Sequence, residues 1–109
     1  MQFDTDLLSE HKELFLQARA YLLSFPDITE IKKERITTYM NVQGGICHMR
    51  TMPYGIDLGF LKGAKMKDDL NLLTGKGKIL RVLSLKSMNK DVIKYYMDQA
   101  VDLNIITKN

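Results

Sequence analysis

The sequence predicts an α+β fold: a two-layer sandwich in which a four-stranded antiparallel sheet carries an N-terminal and a C-terminal helix on one face. Apolar residues recur every three or four positions at both ends of the chain, which is typical of amphipathic helices. The middle holds short β-rich runs separated by turn residues, and such short connections favour antiparallel neighbours. A length of 109 residues suits one domain, so we expect residues 1–109 to fold as a single unit.

The two helices are predicted at the ends of the chain. Residues 1–25 form the first helix because their apolar side chains share one stripe. Pro26 ends this helix, since the residue before a proline is pushed out of the helical region. Ser87 or Asn89 caps the last helix, in which the apolar residues of 92–103 share a face.

Four runs rich in β-branched, aromatic or other apolar side chains are predicted to be the strands. They are residues 36–40, 46–50, 56–61 and 79–85. The last run is the most apolar, which places it inside the sheet rather than at an edge. The Gly- and Lys-rich stretch 62–78 joins the third run to the fourth, and we expect one short helical turn in it near residues 68–73, capped by Asp68 or Asp69.

Composition and charge limit the function classes. Apolar residues make up 45% of the chain and charged residues 27%, which excludes intrinsic disorder. The single cysteine, Cys47, excludes an intramolecular disulfide and indicates a reducing compartment. With no signal-peptide pattern and no apolar run long enough to span a membrane, we expect a soluble cytoplasmic protein. Residues 35–109 carry a net charge of +6 and residues 1–34 a net charge of −3, so the basic part either attracts an anionic partner or complements the acidic part of the same fold.

Short motifs before and within the predicted fourth strand resemble those of a known family. In chain order they are Leu58-Gly59-Phe60, Lys62-Gly63-Ala64, Gly75-Lys76-Gly77-Lys78 and Arg81. The order is similar to that of the YdhG-like family of small bacterial proteins, in which a strand ending in Gly-Phe precedes a Gly-Ala turn, a Gly-x-Gly-Lys loop and an arginine-bearing strand. Residues 33–36 depart from the aromatic-Gly-x-Pro signature that many relatives carry at that place. The resemblance covers nearly the whole chain and implies an α+β sandwich. The family is largely of unknown function, part of it is grouped with frataxin-like iron chaperones, and it supplies no family-wide catalytic residues.

The Gly- and Lys-rich stretch is the first candidate site. Glycines let backbone N–H groups approach an anion, and lysines supply positive charge. The spacing is that of neither a P-loop nor a dinucleotide-binding loop, so a flexible, solvated turn is the alternative. Arg81 either joins this anion site or pairs with Asp57, or with another carboxylate, across the sheet. The candidate anion-binding residues are Lys62, Lys65, Gly75, Lys76, Gly77, Lys78 and Arg81.

Soft metal ligands and nucleophiles are few. His11, Cys47 and His48 show no zinc-site spacing, and we expect His11 to be a hydrogen-bonded core histidine. Cys47 and His48 are adjacent on a predicted strand, so their side chains lie on opposite faces and cannot exchange a proton. The sequence therefore gives no reason to expect an enzyme or a resident cofactor.

A weak iron site is the alternative that the family resemblance implies. On the predicted first helix, Asp6, Glu10 and Glu13 share one face with Asp4 nearby, and such carboxylates can hold a hard cation. The same pattern is typical of a solvated helix face with acids near its N-terminus.

The sequence thus favours a small non-enzymatic binding protein. It is expected to be a monomer or a weak homodimer that presents an open sheet face and the basic Gly/Lys loop to an anionic or protein partner. Nucleic acid is a less favoured partner because the RNA-recognition signature is missing and the net charge is only +3. The second hypothesis is a frataxin-like iron chaperone that uses Asp4, Asp6, Glu10 and Glu13.

Overall fold

The structure is a computed structural model that describes residues 1–108, with side chains described for residues 1–105. Over this part of the chain it is an α+β protein with three α-helices and one antiparallel sheet of six strands. The helices are α1 (Gln2–Leu7), α2 (Lys12–Leu23) and α3 (Lys90–Lys108). The strands are β1 (Thr29–Lys32), β2 (Thr37–Asn41), β3 (Gly44–Met52), β4 (Gly55–Phe60), β5 (Leu73–Thr74) and β6 (Arg81–Leu85), in the spatial order β1-β2-β3-β4-β6-β5.

The sheet has two strands more than predicted. β2, β3, β4 and β6 correspond to the four predicted strands, and β6 lies between β4 and β5, inside the sheet as expected. The additional strands are the two edges. β1 has the sequence Thr-Glu-Ile-Lys, which lacks an apolar run, and β5 is only two residues long. Neither edge strand carries the hydrophobic pattern from which buried strands are predicted.

All three helices contact the same face of the sheet. The pleat places Ile56, Leu58 and Phe60 of β4 on this face, where each is fully buried. In α3, the Tyr96 ring lies 6.0 Å from the Phe60 ring. The α1 side chain of Asp6 binds Thr51, which lies opposite Ile56 in the register. From α2, Arg19 binds Glu30, which lies opposite Tyr39. The other face of the sheet has no helix over it in the described part of the chain.

The predicted first helix is interrupted at residues 8–11. Here the Ser9 hydroxyl accepts a hydrogen bond from the His11 N–H at 3.0 Å, which is the local contact by which serine competes with a helix. The break turns α1 so that Asp6 reaches β3, whereas Leu8 is left 88% exposed. The prediction of one continuous helix was therefore wrong, and tertiary contacts are the reason.

The connection between β4 and β6 also differs from expectation. A single 3-10 turn occupies Gly63–Lys65, and residues 68–71 form one hydrogen-bonded turn rather than a helical segment. The Asp68 carboxylate accepts hydrogen bonds from the N–H groups of Leu72 and Leu73, so Asp68 caps this turn although the expected helical turn is absent. At the start of α3, the Asn89 side chain accepts the Val92 N–H at 3.1 Å, which identifies Asn89 as the cap.

Candidate functional site

The sheet face opposite the helices, called the open face here, presents two rows of side chains across β3, β4 and β6. One row runs His48–Gly59–Val82 and the next runs Arg50–Asp57–Ser84. Because side chains alternate along a strand, the side chains in these rows lie on the face of the sheet that does not carry the buried Leu58 and Phe60. The rows include an arginine, a histidine and a carboxylate in the middle of the sheet.

A groove with a volume of about 260 Å³ lies on the open face, and we call it the Gly59 groove. It is lined by Arg35, Ile36, His48, Arg50, Asp57, Gly59, Leu80 and Val82. Gly59 lies between His48 and Val82 in its row, so the missing side chain leaves a depression at the centre. The groove therefore combines apolar walls with two arginines and one carboxylate.

The Asp57 carboxylate, which lines the groove, is hydrogen-bonded by neutral hydroxyl groups. Asp57 accepts hydrogen bonds from the Tyr54 hydroxyl at 2.5 Å and from the Ser84 hydroxyl at 2.7 Å. The bond to Asp57 raises the pKa of the Tyr54 hydroxyl. In contrast, neither Arg35 nor Arg50 forms a hydrogen bond or an ion pair through its guanidinium with a described residue. The groove thus holds two guanidinium groups and one carboxylate, and neither arginine is ion-paired to a described residue.

His48 contributes little charge to the groove near neutral pH. The side chain is half-buried, and burial lowers the pKa of its imidazole, with a further lowering from the positive charge of Lys33. A neutral imidazole has one nitrogen that donates and one that accepts a hydrogen bond. His48 can therefore act as a polar neighbour to a ligand in the groove, while the arginines supply the charge.

The predicted anion-binding residues lie beside this groove in two segments that meet, 62–65 and 75–81, together called the basic loop. The Ala64 N–H donates a hydrogen bond to the Ile79 carbonyl at 3.0 Å. At Gly63, a Cβ would lie 2.5 Å from Arg81 Cβ and 2.7 Å from its backbone nitrogen, so only glycine permits this approach. The side chains of Lys65, Lys76 and Lys78 are exposed. The last loop residue before β6, Leu80, also lines the Gly59 groove and connects the two regions.

The predicted pairing of Arg81 with Asp57 is wrong. Arg81 lies opposite Phe60 in the register, and Asp57 lies opposite Ser84, so the two side chains are on opposite faces of the sheet. The Arg81 guanidinium instead donates hydrogen bonds to the carbonyls of Gly77 and Leu80, at 2.6 and 2.8 Å. Arg81 therefore holds the conformation of the basic loop from within.

The acidic face predicted for iron is not formed. Asp4 and Asp6 belong to α1, Glu10 lies in the turn after it and Glu13 lies in α2, so the four acids do not share one helix. Asp6 is fully buried, where it accepts hydrogen bonds from the Gln2 side chain and from Thr51. Among the described residues, no group of three or more His, Cys, Asp or Glu side chains is placed to hold a metal ion.

The other candidate ligands have structural contacts. Cys47 is fully buried on the helix-covered face, and burial raises the pKa of its thiol to about 12. His48 lies on the opposite face, as the strand pattern predicted. His11 has its ring nitrogen 2.9 Å from the Pro53 carbonyl, but its side chain is 25% exposed, so it is hydrogen-bonded at the surface rather than in the core.

Sequence reasoning assigned none of four groove residues, Arg35, His48, Arg50 and Gly59, to this site, although it considered His48 as a metal ligand and Gly59 as part of a family motif. A signal was present for three of them. The period of two along β3 and β4 places His48, Arg50 and Gly59 opposite the apolar positions. Arg35 lies between β1 and β2, in a segment with no periodic pattern, so its position could be found only from the fold.

Comparisons of the chain with protein-family models, with curated proteins and with solved structures found no match. The resemblance to the YdhG-like family therefore stays a prediction. Within residues 1–108, no helix combines the length and the apolar character needed to cross a bilayer.

Proposed function

We propose that this chain is a non-enzymatic binding domain that engages an anionic partner through the open face of its sheet, with the basic loop at the edge of the contact. The observation that carries the proposal is the pair of arginines, Arg35 and Arg50, which line an uncovered groove without forming an ion pair to a described residue. Two arginines against one carboxylate leave the groove with a net positive charge, and a concave surface with net positive charge speeds the approach of an anionic partner.

Apolar contact supports the same surface. Leu80 is 38% exposed and lines the groove, and its neighbour Ile79 is 66% exposed. Exposed apolar groups rimmed by polar ones are typical of interaction sites. The partner is therefore expected to present apolar as well as acidic groups. The proposal of a non-enzymatic role is supported by Cys47, since its buried thiol has a raised pKa and lies on the opposite face of the sheet from His48, so the two cannot act as a nucleophile and its base.

The remaining predictions belong to the same proposal. Membership in the YdhG-like family is supported by Gly63, since the close approach to Arg81 gives the Gly-Ala motif a structural reason. A cytoplasmic location is supported by the single buried thiol. The state of a monomer or weak homodimer is proposed with them.

The test is binding of a fluorescently labelled oligo-glutamate peptide, followed by anisotropy at low salt. We expect saturable binding that weakens as salt is added, because the contact is electrostatic. Arg50→Glu is expected to weaken it by about tenfold, which corresponds to ~1.4 kcal/mol. Lys12→Glu is the matched control: Lys12 is an exposed cation on α2, and its substitution makes the same change in charge.

Two outcomes would contradict the proposal. The first is that the unmodified chain does not bind the peptide at any salt concentration. The second is that Arg50→Glu and Lys12→Glu weaken binding equally, because attraction would then follow net charge and not the open face.

A further inference from the structure

Gly59 lies in the interior of β4, in the middle of the sheet, where glycine is an unfavourable residue. It lowers the stability of a strand relative to alanine because it loses more conformational freedom on folding. The backbone does not require it, since Gly59 is not among the residues with positive φ. A Cβ there would lie 3.4 Å from Leu80 Cδ1 and 4.0 Å from His48 Cβ, which is ordinary contact.

Gly63, in contrast, is a glycine that the packing of the fold requires. There the added Cβ would lie 2.5 Å from a neighbouring carbon, so the fold itself demands glycine. At Gly59 the fold has room for a methyl group, and the sequence has none. A glycine of this kind inside a strand is typical of a place where a ligand approaches the backbone closely.

The size of the groove limits the occupant. A volume of about 260 Å³ is slightly below the ~300 Å³ at which pockets for drug-sized ligands begin. At ~30 Å³ per water molecule, the groove has the volume of roughly nine water molecules. That suits a short organic molecule, and it excludes full enclosure of a nucleotide.

The chemistry of the walls defines the kind of molecule. Ile36, Leu80 and Val82 provide an apolar surface. Arg35 and Arg50 present planar, forked donors, which match a carboxylate or a phosphate by two hydrogen bonds at once. Asp57 lies opposite Arg50 in the register and accepts hydrogen bonds from the Tyr54 and Ser84 hydroxyls, and it forms no ion pair with either arginine.

We infer that the Gly59 groove binds a small organic acid, with its apolar body over Gly59 and its carboxylate or phosphate head at Arg35 and Arg50. This inference rests on the proposed function and names the ligand class of the same face. The body of the ligand occupies the space that a side chain at position 59 would take.

The experiment uses amide NMR spectra of the isotope-labelled full chain, titrated with benzoate and, separately, with phenyl phosphate. We expect saturable shifts centred on the amides of Gly59, His48 and Val82, and the tighter of the two acids identifies the head group. Benzamide has the same ring and no charge, so it is expected to bind at least about tenfold more weakly. Acetate lacks the ring and is expected to be weaker as well.

Two variants test the placement. Gly59→Ala adds one methyl group to the floor of the groove and is expected to weaken binding of the acids about fivefold, and Arg50→Gln about tenfold. Gly59→Val enlarges the effect if it folds, and Gly59→Ala decides if it does not. The control is Gly77→Ala, at an exposed glycine with nothing within 4 Å of the added Cβ, which is expected to leave the affinity unchanged.

The outcomes separate this inference from the proposed function. If the chain binds oligo-glutamate but neither acid, the groove is not a small-molecule site and the inference is overturned while the proposed function stands. If neither oligo-glutamate nor the acids bind, both are overturned. Binding that is the same for Gly59→Ala as for the unmodified chain, or as tight for benzamide as for benzoate, also overturns the inference.

Discussion

Glu30 joins the edge strand β1 to helix α2, and its replacement is the sharpest test of how the fold is held. The Glu30 carboxylate accepts two hydrogen bonds from the Arg19 guanidinium, at 2.7 and 2.9 Å, and one from the Tyr39 hydroxyl at 2.8 Å. The Glu30 side chain is 9% exposed and Tyr39 is fully buried, so water has little access to the cluster.

The structure gives the size of the effect. Glu30→Ala leaves the Tyr39 hydroxyl buried without its acceptor, at a cost of about 1–3 kcal/mol. Loss of the ion pair costs less than the ~3–5 kcal/mol typical of a fully buried pair, because the Arg19 side chain is 32% exposed and remains solvated. We expect Glu30→Ala to lower the free energy of unfolding by about 3 kcal/mol in total. Glu34→Ala, at an exposed acid close by, is the control and should change it by less than about 0.5 kcal/mol.

The assay is urea denaturation followed by circular dichroism, repeated at several pH values. Burial acts to raise the pKa of Glu30, but the hydrogen bonds from Arg19 and Tyr39 outweigh it, so the pKa lies below its ordinary value of 4.5. A carboxyl group with a lowered pKa stabilises the fold above its unfolded-state pKa, and this contribution is lost as the pH falls through the folded-state value. The difference in stability between the unmodified chain and Glu30→Gln should therefore be full near neutral pH and shrink below pH 4.5. A change of less than about 0.5 kcal/mol for Glu30→Ala would refute the reasoning, as would a difference for Glu30→Gln that does not depend on pH.

Three further predictions follow from particular side chains. Gly59→Ala should raise the free energy of unfolding by about 0.5–1 kcal/mol. Gly63→Ala should lower it by about 1–3 kcal/mol, because the added Cβ meets the backbone of β6. Equal effects of the two substitutions in urea denaturation would contradict both predictions. The Cys47 thiol should react with iodoacetamide at least about a hundredfold more slowly in the folded chain than in denaturant, since burial raises its pKa to about 12. Mass spectrometry measures both rates, and similar rates would mean that the thiol is accessible. Asp6→Ala should cost about 2 kcal/mol, because the carboxylate is buried and accepts hydrogen bonds from β3; the same urea assay checks it, and a neutral result would show that α1 is not held by this contact.

The centre of the sheet could be predicted from the sequence because burial leaves a local pattern there. Ile56, Leu58 and Phe60 alternate with less apolar residues, and this period of two defines both the strand and its buried face. The edges could not be predicted in this way. β1 is a strand because Glu30 has Arg19 and Tyr39 as partners, and these lie 11 and 9 residues away in the sequence.

The break in the first helix has a similar cause. Leu7 and Leu8 fit the helical stripe, and nothing in their spacing predicts an interruption. It depends on contacts with distant residues, Asp6 with Thr51 and His11 with Pro53. For the site, the pleat of β3 and β4 gives the position of Arg50 and Gly59, but the meeting of Arg35 with them depends on the sheet order.

The two outer strands carry features that oppose edge-to-edge pairing between copies of this sheet. A long, flat, apolar border would be a template for the strands of other molecules and a start for fibrils. β5 offers only two residues for such growth, and β1 carries Glu30 and Lys32 next to Lys33. Short or charged borders are the devices by which natural sheets suppress this association. The chain should thus tolerate the high concentrations that spectroscopy needs, and changing Lys32 and Lys33 to valine should make it aggregate.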